Sequence, residues 1–367
     1  MSPNLGVGEY PQKTCHMIRS IEVKNFRCFK QLNLSQLGRI NLLVGRNASG
    51  KTTFLEALFL VAGGSAEVVL RLRGMRGSGD IIKITYTKKF YESLWNDLFF
   101  AFNPRGVITI RTSGPQGADR VLKISYDEDE SLTIPIMEKT EDLPIITPIK
   151  MQWTTSNGKT FDAKPTITPR GVNVGLFVDP LPGAIFGSLG SPNAEENAAN
   201  FSELSKQGKE GELVKALNSE FPYIQGLSVE IDSGTPMVYA SMTGTSQPRK
   251  IPLTLVSGGI SKFVSLLLAI ASNPGGVIYI DEIENGFYYD RLPTIWSSLF
   301  SLARKYDVQI FASTHSSECL KAILPLIKQE EEEFRLLRAN RDDDQCNVTV
   351  YRGKDLRNAV QQEFELR

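Results

Sequence analysis

Hydrophobic and polar positions along the 367-residue chain fall into three textures. From Ile18 to Phe29 apolar residues such as Ile21, Val23 and Phe26 alternate with polar ones, as in a half-buried strand. Ile40–Val44 is a continuous apolar run ending at Gly45, the pattern of a strand covered on both faces. Thr52–Ala62 then carries Leu55, Leu58, Phe59 and Ala62 at helical spacing. Residues 65–250 are more polar and rich in Gly, Pro and Thr. Strand-like pieces recur there at Ile81–Tyr86, Val107–Arg111, Val121–Tyr126, Ser228–Ile231 and Met237–Ser241, with helical patches at Glu195–Lys206 and Gly211–Phe221. They predict an antiparallel β subdomain followed by a small helical arm. Residues 251–367 regain strong patterning: a helix over Ser261–Ala271, a buried strand Val277–Ile280 ending at Asp281, and a helical stripe of Leu292, Ile295, Trp296, Leu299 and Ala303. Pro293 suits that helix's first turn. A second buried strand, Val308–Ala312, stops just before Thr314 and His315. Strands alternating with helices predict an α/β fold with a mixed or parallel, helix-covered sheet. Ligands on such sheets bind beyond the carboxyl ends of the strands, where these polar residues fall.

Composition narrows the class. Hydrophobic residues make up 41% and charged residues 22%, with Lys+Arg 41 balancing Asp+Glu 41. That excludes a wholly disordered chain and a strongly basic nucleic-acid coat. Cys15, Cys28, Cys319 and Cys346 lie far apart and the only histidines are His16 and His315, so a dedicated zinc site is not expected. Unpaired, scattered cysteines fit a reducing compartment. No apolar run approaches the roughly 18 residues of a membrane span, and residues 1–16 lack a secretory h-region. The expectation is a soluble cytoplasmic protein with a flexible leader over 1–16, Met17 being an alternative start.

Gly45-Arg46-Asn47-Ala48-Ser49-Gly50-Lys51-Thr52 meets G-x-x-x-x-G-K-[ST] at every fixed position. The glycines let backbone N–H groups converge on a phosphate, and the following helix points its positive end at the same anion. Lys51 is placed for the β- and γ-phosphates, Thr52 for Mg²⁺ and Thr53 for the α-phosphate. Asp281 ends an apolar strand where the Mg²⁺ shell needs an acid, and Glu282 follows it where the attacking water needs a base. Ser257-Gly258-Gly259 lies 24 residues before Asp281 at a helix start, a second anion cradle. His315, 34 residues after Asp281, is placed to bond the γ-phosphate. Asp342-Asp343-Asp344 and Glu330–Glu333 read as solvated charge runs.

This ordered set resembles the ABC-type ATPase heads of the RecF/SMC class, and most of all the standalone AAA-family ATP-binding proteins related to OLD-family nucleases. The stretches that carry the likeness are IRSIEVKNFRCFKQLNL, INLLVGRNASGKTTFLEALF, LVSGGISKFVSLLLAIA, GVIYIDEIENGF and QIFASTHSSECLKAI, somewhat under half the chain. The resemblance implies one P-loop NTPase head over 17–367: a phosphate-loop half (17–64), a β-rich insertion and helical arm (65–250), and a signature, Walker B and His-loop half with a C-terminal extension (251–367). It implies two heads sandwiching two ATP molecules with Mg²⁺, Ser257 and Gly259 reaching the γ-phosphate in trans. Glu284 and Asn285 would then lie in the loop crossing the interface, and the Asn25-Phe26-Arg27 turn near the adenine and phosphates.

Departures accompany it. The glutamine loop of the class has Gln152 or Asp179 as candidates. Tyr288 stands where relatives often carry His, and Ser257-Gly258-Gly259 where they often carry an acidic residue plus Gly. No long coiled coil interrupts the halves, and 52 residues after His315 are too few for an appended nuclease domain. The leading expectation is an ATP-gated switch acting on itself as a dimer or larger oligomer. By resemblance it would regulate a separately encoded effector, plausibly a nuclease in antiphage defence. The alternatives are a DNA-binding repair ATPase using Arg71, Arg73 and Arg76 with Gly74 and Gly77, and an ATP-bound scaffold without turnover.

Overall fold

The computed structural model describes residues 17–74, 76, 88–115, 118–133, 145–168, 171–173, 180–187, 193–243, 249–329, 332–353, 355–356 and 358. The leader, the strand pattern at Ile81–Tyr86, Gly77 and Asp179 lie outside them.

Two six-stranded sheets face each other across the helix Lys51–Ala62. One is parallel except at its last strand, in the order Gly183–Phe186, Val277–Ile280, Gln309–Ser313, Ile40–Val44, Phe334–Asp342, Gln345–Tyr351. Its apolar runs are continuous because both faces are covered. Ile40, Leu42 and Val44 pack with Ile278 and Ile280 against the helices Gly258–Ser272 and Leu292–Lys305. Leu43, Val277 and Tyr279 point the other way, toward Lys51–Ala62. That helix is buried at every position but Thr52, which accounts for the uncharged apolar run from Ala57 to Ala62 that follows Glu56.

The other sheet is antiparallel throughout: Phe29–Ser35, Ser20–Phe26, Ile108–Ser113, Arg120–Tyr126, Ile149–Thr154, Thr160–Ala163. It therefore begins with the first two strands of the described residues and crosses the boundary expected at residue 64. The insertion also contains the helices Glu67–Arg73 and Lys88–Trp95, which the pattern did not predict, and donates Gly183–Phe186 to the parallel sheet. The expected helical patches form Ala194–Lys206 and Glu210–Glu220. With the three-stranded sheet Ile224–Asp232, Thr235–Met242, Arg249–Pro252 they pack onto the Gly258–Ser272 side of the core.

Phe54 is fully buried between the two sheets, edge-on to Phe311 at 6.2 Å. Phe54→Ala is expected to cost about 3–5 kcal/mol, read as a lower urea midpoint at unchanged m-value. A loss under about 1 kcal/mol would mean that this layer is not packed as described.

Candidate functional site

The strand Ile40–Val44 delivers Gly45 to the carboxyl edge of the parallel sheet, and the loop turns into Lys51–Ala62. Gly45 has φ 144°, and a Cβ there would stand 2.2 Å from the Ala339 carbonyl oxygen. Gly50 has φ 96°, with Cys28 and Cys346 3.0 Å from a Cβ. Neither place admits another residue without moving backbone or strand. Lys51 Nζ donates to the carbonyls of Gly45 and Arg46 at 2.7 and 3.0 Å. Ser49 Oγ is buried with no partner among the described residues, and the helix carries no acid in its first turn. A hydroxyl, an ammonium and a helix N-terminus converging at the loop fit a phosphate. The loop opens on a cleft of about 620 Å³ whose walls include Thr52, Asp281, Glu282, Cys28, Arg76 and Arg341.

At the acidic end Thr52 Oγ1 donates to Asp281 Oδ2 at 2.8 Å. Ser313 Oγ donates to Asp281 Oδ1 at 2.5 Å and accepts the Glu282 N–H at 2.9 Å. Hydroxyl and carboxylate oxygens side by side are a donor set for a hard cation such as Mg²⁺. Glu282 has a left-handed backbone, φ 48°, and its Oε2 accepts from Asn285 Nδ2 at 2.6 Å. Glu284 Oε1 accepts the His315 N–H at 2.9 Å and lies 3.1 Å from His315 Nδ1, which is 3.7 Å from Glu282 Oε1. Lys51, Thr52, Asp281, Glu282 and His315 thus gather around one sheet edge.

Other expected residues lie elsewhere. Ser257 and Gly259 face a separate hollow of about 360 Å³ with Phe221, Tyr223, Tyr288 and Arg291. Gly259 is required there because a Cβ would come within 2.3 Å of the Gly286 carbonyl oxygen. Asn25 and Arg27 do not line the phosphate-loop cleft. Asn25, at φ 56°, packs against Gly106. Arg27 is buried and donates to Glu56 Oε2 at 2.6 Å; burial lowers its pKa, which Glu56 opposes. The physical reason is Glu56 itself, a buried carboxylate on the phosphate-loop helix that needs counter-charges. Arg76 supplies a second, donating to both Glu56 oxygens at 2.7 and 2.8 Å. Arg73 is held by Asp97 at 2.5 Å, and Arg71 lies 5.7 Å over the Phe59 ring. Of the basic cluster considered for DNA, Arg73 and Arg76 are engaged in ion pairs, while Arg71 and Arg76 remain exposed. Gln152 does not line the cleft and pairs with Asp162 at 2.9 Å.

Sequence reasoning missed Ser313 and Lys262. From inside the helix Gly258–Ser272, Lys262 Nζ donates to the carbonyls of Glu282, Ile283 and Asn285 at 3.1, 3.3 and 2.8 Å. Burial pushes its pKa down to about 8, against the pull of Glu284, Glu282 and Asp281. The only signal was a lysine interrupting an apolar helix. Among the described residues no helix is long and apolar enough to cross a membrane.

A family profile described as "AAA ATPase domain" matches residues 17–167, and one described as "AAA domain, putative AbiEii toxin, Type IV TA system" matches residues 186–320. The chain is 23% identical over 384 residues to a Helicobacter pylori protein named ATP/GTP phosphatase, covering 93% of this chain and 97% of that one. Over 72 residues, 20% of this chain and 13% of the relative, it is 40% identical to the OLD nuclease of Thermus scotoductus. Over 46 residues, 12% of each, it is 48% identical to the DNA replication and repair protein RecF of Thermomicrobium roseum. A solved SMC head bound to the C-winged helix domain of ScpA matches with a TM-score of 0.50 at 12% identity, covering 93% of this chain and 99% of that chain.

Lys262→Met is expected to lower the nucleotide turnover rate by about tenfold or more through the misplaced Glu282 loop, with nucleotide affinity changed far less. Lys262→Arg should recover part of the loss. Because the folded pKa lies below the usual 10.5, the unfolded chain takes up this proton first as pH falls. Wild-type stability should therefore rise between about pH 8 and 10.5 relative to Lys262→Met. Urea titrations that stay parallel across that window would contradict the buried ammonium.

Proposed function

We propose a working cycle for this chain, an ABC-type ATPase of the RecF/SMC class with an SMC-head-like P-loop fold. Two copies close around two ATP molecules in a Mg²⁺-dependent manner, hydrolysis reopens them, and a separately encoded effector reads the state of the pair. The observation that carries this reading is the division of phosphate-binding groups. Lys51, Thr52, Asp281 and Glu282 share one cleft, while Ser257 and Gly259 face another hollow of the same chain. A second copy would bring its Ser257–Gly259 turn to the γ-phosphate. Leu255, 76% exposed, lies two residues before that turn, Tyr288, 66% exposed, lines its hollow, and Tyr289, 58% exposed, packs on Tyr288. Large exposed apolar side chains of this kind suit an interface.

In this reading the N–H groups of Asn47–Thr53 hold the phosphates, and Lys51 exchanges loop carbonyls for β- and γ-phosphate oxygens. Thr52 and Asp281 would hold Mg²⁺, which when bound offsets charge on the β- and γ-oxygens. Glu282 accepts the proton of the attacking water, and Asn285 fixes which carboxylate oxygen is free to do so. Glu284 orients His315 toward the γ-phosphate. Contacts made in trans to the γ-phosphate exist only before hydrolysis, so the closed state is favoured only then. We take residues 17–367 as one head acting in the cytoplasm. The likeness to the OLD nuclease supports a nuclease effector in antiphage defence. The likeness to RecF raises DNA as a partner, contacted elsewhere than through the engaged Arg73 and Arg76.

The test is the solution mass of Glu282→Gln by light scattering, with and without Mg²⁺-ATP. A nucleotide-dependent doubling is expected. Tight nucleotide binding with an unchanged monomer mass would overturn the trans site, and an ATP-indifferent oligomer would favour a scaffold.

A further inference from the structure

Two cysteines with no role in that cycle meet against the phosphate loop. Cys28 lies in the turn between Ser20–Phe26 and Phe29–Ser35, and Cys346 lies on the edge strand Gln345–Tyr351 of the other sheet. The Cys346 N–H donates to the Cys28 carbonyl at 2.8 Å. That bond holds Cys28, in a turn of one sheet, beside Cys346, on the edge strand of the other. Both side chains converge on Gly50, where a Cβ would stand 3.0 Å from Cys28 Sγ and 3.0 Å from Cys346 Cβ. Cys346 Sγ also lies 3.8 Å from the Ala48 carbonyl oxygen. Cys28 is half-buried and forms part of the cleft wall, whereas Cys346 is fully buried.

We propose that Cys28 and Cys346 are an oxidation site that gates the phosphate loop through a reversible disulfide. A hydroperoxide entering the cleft reaches Cys28 first. The Cys28 thiolate attacks the peroxide, an S–O bond forms as the O–O bond breaks, and the leaving hydroxide is released as water. Cys346 then attacks the sulfenic sulfur; the S–S bond forms, and the departing hydroxide takes the Cys346 proton as a second water. The two thiols lose two electrons in total and hydrogen peroxide gains them. Burial, and after it the Cys28 thiol, push Cys346 up to about 12, so Cys346 is not the thiol that the peroxide oxidises first. The new bond ties the turn of one sheet to the edge strand of the other directly over Gly50, and the loop loses the freedom to seat a phosphate. The thiol chemistry stands by itself; its effect on nucleotide rests on the proposed occupancy of the cleft.

The full chain is treated with hydrogen peroxide and assayed by intact mass, peptide mapping and equilibrium binding of a fluorescent ATP analogue, before and after dithiothreitol. Expected are the loss of two hydrogens, a Cys28–Cys346 cross-linked peptide and a roughly tenfold weaker binding that dithiothreitol restores. Cys28→Ser and Cys346→Ser should each make binding insensitive to peroxide. Over-oxidation of Cys28 without the cross-link, or a cross-link that leaves binding unchanged, would overturn the gate. If the reduced chain fails to bind the analogue, the nucleotide reading of the cleft falls, while the cross-linked peptide still decides the thiol chemistry.

Discussion

The hydrogen bond from Thr52 to Asp281 joins residues 229 apart in sequence, and most of the architecture is needed to make it. Thr52 must sit in the first turn of a helix that only Gly45 and Gly50 allow to start there. Asp281 must end a strand that is not the neighbour of Ile40–Val44: Gln309–Ser313 runs between them. Ser313, at the end of that intervening strand, fills the gap with a hydroxyl that holds both Asp281 and the Glu282 N–H. A slip of one residue in any of the three strands would turn its terminal polar side chain to the opposite face of the sheet. The apolar runs covered on both faces specify that register.

Two ammonium groups serve this edge in the same way. Lys51 holds the carbonyls of Gly45 and Arg46, and Lys262 holds those of Glu282, Ile283 and Asn285. Each satisfies backbone acceptors in a loop too irregular to pair with itself. Lys51 lines the cleft, so an anion can compete for it; Lys262 is largely buried and its contacts are fixed. Glu56 shows the opposite economy: a carboxylate only 3% exposed takes up Arg27 and Arg76. Such a buried network adds little net stability, but breaking one partner is costly, so it fixes how the insertion sits on the phosphate-loop helix.

Those differences decide what could be read from the sequence. The phosphate loop, Asp281, Glu282 and His315 were legible because fixed spacing coincided with the ends of apolar strands. Gly183–Phe186 was not, since four residues inside a Pro- and Gly-rich stretch look like a loop until a parallel partner is known. Ile149–Thr154 alternates cleanly, with Ile149, Met151 and Trp153 buried, and was readable in principle. At the turn Asn25–Arg27 the motif does not reveal that Glu56, on the next helix, is buried and claims Arg27. Lys262 was invisible for a related reason: its partners are carbonyls, which every residue has.

The same topology bears on why the proposed cycle takes two copies. The phosphate-loop helix packs on one face of the parallel sheet, through Tyr279, Leu43 and Phe311. The helix that follows Ser257 packs on the other, through Ile278, Ile280 and Leu42. Gly259 is held there by its close approach to Gly286, and Lys262 fastens the same helix to the Glu282 loop. Bringing Ser257 round to its own Lys51 would mean prising that helix from a core of Phe263, Val264, Leu266 and Leu267, a loss of several buried side chains at roughly 2–5 kcal/mol each. A second copy offers the same turn without that cost. Because Lys262 links the helix of that turn to the Glu282 loop, the proposed contact in trans would reach the Glu282 loop of the copy that donates it.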